Sequence, residues 1–170
     1  KRLKQVVSRI GSGKTPKGGA EVYSESGIVF LRSQNIHFDG MQLDDVVYID
    51  ESIDTEMAST RVLPNDILLN ITGASLGRCT IVPADFAPAN VNQHVCIIRP
   101  TKAQIDPQFL HNTMASNVLQ AQIFSCENGT SREGLTFSQI STFVLTVPKQ
   151  LVEQRAIAAF LDRETGHIDA

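Results

Sequence analysis

Five loops of this 170-residue sequence carry side chains that can form paired hydrogen bonds with a flat heterocyclic edge or grip a phosphate. Arg32 leads into Ser33-Gln34-Asn35; Thr72-Gly73-Ala74-Ser75-Leu76-Gly77-Arg78 forms a second group, Asn92-Gln93-His94 a third and Asn128-Gly129-Thr130-Ser131-Arg132 a fourth. The guanidinium fork matches a guanine edge, the carboxamides of Asn and Gln match adenine, and Ser, Thr and backbone amides suit phosphate oxygens. The fifth loop, Gly13-Lys14-Thr15-Pro16-Lys17, lies in a stretch where Lys1, Arg2, Lys4, Arg9, Lys14 and Lys17 all precede the first acid, Glu21. Asp39, Asp44, Asp45, Asp50, Glu51, Asp54 and Glu56 then follow with no Lys or Arg among them. With a net charge of only −3, this segregation matters more than the total: it can give the folded domain one positive and one negative face. Each loop taken singly also has an ordinary reading as turn chemistry, and Asn92-Gln93 serves equally well to satisfy buried backbone groups.

Residues for bond-making chemistry are missing where they would be needed. Gly13-Lys14-Thr15 resembles the end of a nucleotide-phosphate loop, but position 8 is Ser8 instead of glycine and Pro16 stands where the next helix would run. No lysine has an acid two residues before it, as common metal-dependent nucleases require: those positions are Arg2, Ser12, Thr15, Pro100 and Val147. There is no Pro-Pro pair for an Asn/Asp-Pro-Pro-aromatic adenine methyltransferase, no G-x-S-x-G and no H-E-x-x-H. Cys79, Cys96 and Cys126 are odd in number and unpaired in spacing, and His37, His94, His111 and His167 are scattered, so neither a disulfide framework nor a metal site is expected. No apolar run approaches the length of a membrane span, and Lys1-Arg2-Leu3-Lys4 opens no signal region, so a cytoplasmic protein is expected.

The elements that must position these loops follow from periodicity. Apolar content of 42% with 19% charge suits one domain with a sizeable core plus an appended element. Short runs rich in branched residues at 28–32, 46–49, 67–71, 79–82 and 94–99, bounded by Gly, Pro, Asn or Asp, are expected strands of a curved mixed or antiparallel sheet. The period then changes: Asp106-Pro107 opens an amphipathic helix whose stripe is Phe109, Leu110, Met114, Val118, Leu119 and Ile123. Thr136 and Gln139 form a capping box for one short helical turn, and residues 143–147 read as a last strand stopped by Pro148. A second helix starts near Val152 and carries Ile157, Phe160, Leu161 and Ile168 along one side. Its stripe suits a partner helix or self-association; the alternative is that the helix folds back on the domain. The whole reads as an α+β domain over residues 1–148 with packed helices, followed by the start of a long spacer helix over 149–170.

Taken in order, the pieces resemble the target recognition domain of type I restriction-modification specificity subunits. The resemblance rests on G-x-T-P at 13–16, the Asn35-Ile36 turn after Leu31, L-x-x-x-D-[IV]-L-L at 63–69 running into Thr72-Gly73, N-Q-H-V at 92–95, G-x-x-[RK]-x-x-L at 129–135, and Pro148 followed by Glu153-Gln154-Arg155-Ala156-Ile157-Ala158-Ala159-Phe160-Leu161-Asp162. It implies a non-catalytic, DNA-binding half-subunit that reads one part of a bipartite double-stranded site. Its trailing helix would set the spacing and dock modification (methyltransferase) subunits, and through them the restriction subunit. S-adenosylmethionine, ATP and magnesium would be used only by those partner chains. The expected DNA contacts are Lys14, Thr15, Lys17, Arg32, Gln34, Asn35, Thr72, Ser75, Arg78, Asn92, Gln93, His94, Ser131 and Arg132. Two other classes remain open on sequence: the recognition part of a fused restriction-methylation enzyme, and a general interaction or carbohydrate-binding module.

Overall fold

A computed structural model describes residues 1–127 and 134–168 of the chain. Its nine strands are β1 (Val7–Ser12), β2 (Ile28–Leu31), β3 (Ile36–His37), β4 (Gly40–Met41), β5 (Val47–Ile49), β6 (Ile67–Asn70), β7 (Cys79–Ile81), β8 (Ala89–Val91) and β9 (Val95–Pro100). The helices are α1 (Glu51–Glu56), α2 (Pro107–Ala115), α3 (Asn117–Glu127), α4 (Phe137–Thr142) and α5 (Leu151–Ile168). The α+β organisation is the expected one, but the strands divide into three sheets. An antiparallel sheet has the order β1-β9-β6-β7, a mixed sheet the order β5-β2-β8, and β3 with β4 makes a separate hairpin.

Strands β6 and β9 lie in the middle of the four-stranded sheet and are apolar on both faces, as strands covered on both sides must be. Ile67, Leu69, Cys96 and Ile98 point into a core closed by Phe109, Leu110, Met114, Leu119, Ile123 and Ile140 from the helices. Leu68, Val95 and Ile97 point the other way, onto Leu31, Ile36, Val82 and Val91. Burial pushes the Cys79 and Cys96 thiols up to about 12, so both pack as small hydrophobes and not as nucleophiles.

The expected single helix from Asp106 is two helices. Asp106 caps α2, accepting from Phe109 N at 3.1 Å ahead of Pro107 in the first turn. At Ser116 the backbone becomes extended (φ −65°, ψ 148°), and the serine hydroxyl donates back to Thr113 O at 2.7 Å while accepting from Leu119 N at 3.4 Å. Serine therefore ends one helix and caps the next. The break rotates Val118 out of the expected stripe, leaving it 75% exposed. The capping box before α4 forms as expected, with Gln139 N donating to Thr136 Oγ1 and Thr136 N to Gln139 Oε1. Residues 143–147 do not form the expected strand; they run extended with one bridge, Val144 to Arg2.

Helix α5 packs on α2, but not through its apolar stripe. Gln154 is fully buried, accepting from Asp106 N at 2.8 Å and donating to Pro148 O at 2.9 Å and Gln104 O at 3.4 Å. Ala158 is buried one turn on, and Asp162 accepts from Gln108 and Asn112 after a further turn. This seat of Gln154, Ala158 and Asp162 follows the four-residue helical repeat. Ile157, Phe160 and Leu161 face away from the domain and are exposed, and the side chain of Ile168 lies outside the described residues.

Candidate nucleic-acid interface

The strand pairing gathers the polar loops at one end of the molecule. β2 runs parallel to β8, with Leu31 opposite Val91; β6 and β1 both run antiparallel to β9, placing Asn70 opposite Val95 and Ser12 opposite Cys96. The C-terminal ends of β1, β2, β6 and β8 therefore converge, and the loops that follow them meet. Backbone hydrogen bonds join them: Asn92 N donates to Leu31 O at 3.0 Å, Ile71 N to His94 O at 3.0 Å and Lys14 N to Val91 O at 3.1 Å. Gly13 is required for the last of these, because a Cβ there would stand 1.7 Å from Val91 O.

Ser33, Gln34, Thr72, Gly73, Ala74, Ser75, Arg78 and His94 line an open recess of about 400 Å³ between these loops, and among the described residues no carboxylate stands in its wall. Arg78 is half-buried and has no acid within ion-pairing distance among the described residues. Beside it runs a polar chain. The Thr15 hydroxyl donates to Gln93 Oε1, Gln93 Nε2 lies 3.1 Å from His94 Nε2, and His94 Nδ1 lies 2.7 Å from Thr72 Oγ1. With the Gln93 amide donating, His94 Nε2 accepts, so Nδ1 carries the proton and donates to Thr72. The Thr72 hydroxyl proton is then left free to point outward at an acceptor. Lys14 and Lys17 are exposed on the adjoining turn, Lys14 Nζ lying 3.4 Å from Ser59 Oγ.

Three of the expected contact residues have other work. Asn35 is fully buried: its Oδ1 accepts from Arg32 N at 2.9 Å, and its Nδ2 donates to Gln42 O at 2.9 Å and Asp45 Oδ1 at 2.8 Å. No hydrogen-bonding group of Asn35 is left for a base edge, so its place is inside the turn. Arg32 donates to Asp45 O at 2.6 Å and lies 3.7 Å from the Asp45 carboxylate, which ties its guanidinium to the same turn. Asn92 is 9% exposed and its Oδ1 accepts from His94 N at 3.1 Å, the turn-shaping role that the sequence left open. Gln34, between these anchors, is exposed and donates to Asp45 Oδ2. Ser131 and Arg132 lie outside the described residues.

Sequence reasoning passed over a residue that frames this site. Asn70 is buried under the recess and donates to Ser33 O at 2.8 Å, locking two of the loops together. Its position at the end of an apolar strand, directly before the Thr72 loop, was the available signal. At the opposite end of β6, away from the recess, Asp66, expected only as part of a motif, is buried and takes a bidentate pair from Arg99 at 2.8 Å while accepting from Leu63 N at 2.7 Å. Among the described residues there is no group of three or more His, Cys, Asp or Glu placed to hold a metal ion, and no helix long and apolar enough to cross a membrane.

An α+β scaffold that gathers acid-free polar loops at its strand ends is the architecture of a recognition module. The chain belongs to the family described as the type I restriction modification DNA specificity domain, whose sequence model matches residues 1–169. It is similar to the type I restriction enzyme EcoBI specificity subunit of Escherichia coli, with 27% identity over 146 residues, 86% of this chain and 30% of that protein. Among solved structures it resembles the HsdS subunit from Thermoanaerobacter tengcongensis (TM-score 0.71, 20% identity, 99% of this chain and 42% of that one). It also resembles the type I restriction-modification S subunit from M. genitalium (TM-score 0.65, 13% identity, 99% of this chain and 39% of that one). These likenesses carry the fold. The chain spans less than half the length of each of these relatives.

Proposed function

We propose that this domain reads one half of a bipartite site on double-stranded DNA, as the recognition module of a type I restriction-modification specificity subunit. The observation that carries this reading is the recess in which separate loops bring Gln34, Thr72, Ser75, Arg78 and His94 together with no carboxylate of a described residue in its wall. Arg78 and Gln34 have the paired donors and acceptors that distinguish base edges in the major groove, and Thr72 and Ser75 suit phosphate oxygens. Lys14 and Lys17 on the adjoining turn supply sequence-independent attraction. Thr15, Gln93 and His94 orient the Thr72 hydroxyl.

In the same reading α5 leads into the spacer that fixes the distance between two half-sites. Its outward Ile157, Phe160 and Leu161 meet a partner helix or a modification subunit, and the restriction subunit joins through the latter. Methyl transfer from S-adenosylmethionine and ATP- and magnesium-dependent cleavage belong to those partner chains, in the cytoplasm.

Competition binding tests the reading, with a half-site defined by sequencing the methylated bases of the source cell. Cognate duplex is expected to bind more tightly than scrambled duplex by about a thousandfold or more at physiological salt, in the range typical of specific readers. Equal affinity for the two would overturn sequence recognition. Replacing Phe160 and Leu161 by Ala is expected to weaken association with modification subunits or self-association while leaving half-site affinity alone.

A further inference from the structure

Arg78 lines a second recess, on the side away from His94. Its other walls are Phe38, Leu76, Ala115, Asn117, Gln120 and Phe124, and it has a volume of about 390 Å³. The two phenylalanines come from distant parts of the chain, Phe38 from the tip of the β3-β4 hairpin and Phe124 from α3, and they are 46% and 47% exposed. The polar groups of Gln120 are already directed inward: its Nε2 donates to Gly77 O at 3.0 Å and Met114 O at 2.9 Å. Gly77, with φ +86°, fits where a Cβ would come within 2.6 Å of Gln120 Oε1. The Gln120 amide donors are thus taken up, which leaves two aromatic walls, one guanidinium and the exposed Asn117 carboxamide as the groups on offer.

Polar and apolar recesses that share one arginine, Arg78, make a continuous surface. We infer that the Phe38-Phe124 recess takes the 5-methyl group of a thymine next to the base whose edge Arg78 reads. The inference rests on the DNA-reading role proposed above. The thymine methyl is the one apolar group that a base pair presents in the major groove, and aromatic side chains are among those that contact it. A thymine there puts its methyl against the phenylalanine walls while the guanidinium reaches the neighbouring base. Among the described residues no acid lines either recess, which suits a polyanion better than a basic protein surface.

The test uses the full-length protein and its selected half-site, with each thymine replaced in turn by uracil, which removes the methyl and leaves the hydrogen-bonding edge intact. One such replacement is expected to weaken wild-type binding roughly fourfold, the worth of one buried methyl group. Phe38→Ala is expected to abolish that difference between thymine and uracil duplexes, and Phe38→Leu, which keeps an apolar wall, to retain most of it. Melting curves confirm that both variants are folded. Sequence-selective binding with no sensitivity to uracil at any position, or a half-site without thymine, would overturn the methyl recess and leave the DNA-reading role standing. Sensitivity that persists unchanged in Phe38→Ala would overturn it too, as would a Phe38→Ala protein that reads DNA normally but no longer holds its protein partner. Loss of all preference for the half-site in the wild-type protein would instead remove the reading on which the inference rests.

Discussion

Asp54, Thr60, Arg61 and Asn90 form one polar cluster of this domain, and Gln34, Thr72, Ser75, Arg78 and His94 form another. Both join segments that are far apart in sequence and both include an arginine. In the first, Asn90 is fully buried, donates to Asp54 Oδ1 at 2.6 Å and accepts from Thr60 Oγ1 at 2.7 Å; Arg61 Nε donates to Asp54 Oδ2 at 2.8 Å. Each side chain there is turned toward another member of the cluster. In the second, Arg78 faces a recess lined by no acid among the described residues, and the hydrogen bonds through His94 leave a free donor on Thr72. Polar residues with protein partners hold loops together; polar residues fixed in place but short of partners are available to a ligand. Side-chain type does not separate the two clusters, and pairing does.

The sharpest break in the comparison comes from Asn90→Ala. It strips partners from a buried carboxylate and a buried hydroxyl, and is expected to lower unfolding stability by about 3 kcal/mol in urea titrations while leaving the DNA preference of folded protein unchanged. A change in preference at constant stability would erase the distinction. Arg78→Ala is expected to do the reverse, weakening cognate binding by about 2 kcal/mol with scrambled duplex and melting temperature unaffected.

Neighbours in one turn sharpen the contrast. Asn35→Ala removes three hydrogen bonds of a buried side chain and is expected to cost about 2 kcal/mol of stability, whereas Gln34→Ala costs under about 0.5 kcal/mol and acts on cognate affinity instead. Equal melting points for the two variants would contradict their assignment. The smallest effect is expected for Lys14→Ala and Lys17→Ala, which should weaken cognate and scrambled binding alike. Each is expected to reduce the salt dependence by about one unit of slope for every phosphate that the lysine neutralises, as read from affinities at several salt concentrations.

The strand cores were legible because β-branched runs bounded by turn residues have few other stable forms: the runs at 67–71 and 79–82 become β6 and β7 with one residue trimmed from each. The loops were legible as polar, and the family pattern ordered them. Which member of each loop turns inward was not, because Gln34 and Asn35 have the same functional group and differ only in how the turn after Leu31 aims them. β8 escaped because Ala89-Asn90-Val91 is short and carries a buried asparagine, whose partners Asp54 and Thr60 lie at least 30 residues away in sequence. The division of the long helix escaped because Ser116 is compatible with a helix interior until its hydroxyl finds Thr113 O. Phe38 and Phe124 had no pattern in common, and only the packing of the hairpin on β7 and of α3 on the turn before it, through Gln120 and Gly77 O, makes them neighbours.

The polar seat of α5 has a mechanical consequence. Gln154 grips the loop before α2 with two hydrogen bonds and Pro148 with a third, and Asp162 is held two turns further on, so the helix leaves the domain at a set angle. From Gln154 to its end at Ile168 it runs about 21 Å, and a tilt of roughly 10° at the seat would swing that end by about 3.7 Å. That is more than the roughly 3.4 Å between successive base pairs. One buried glutamine thus works as the fulcrum of a lever, converting a small rotation beside α2 into a displacement on the scale of a whole step along a duplex.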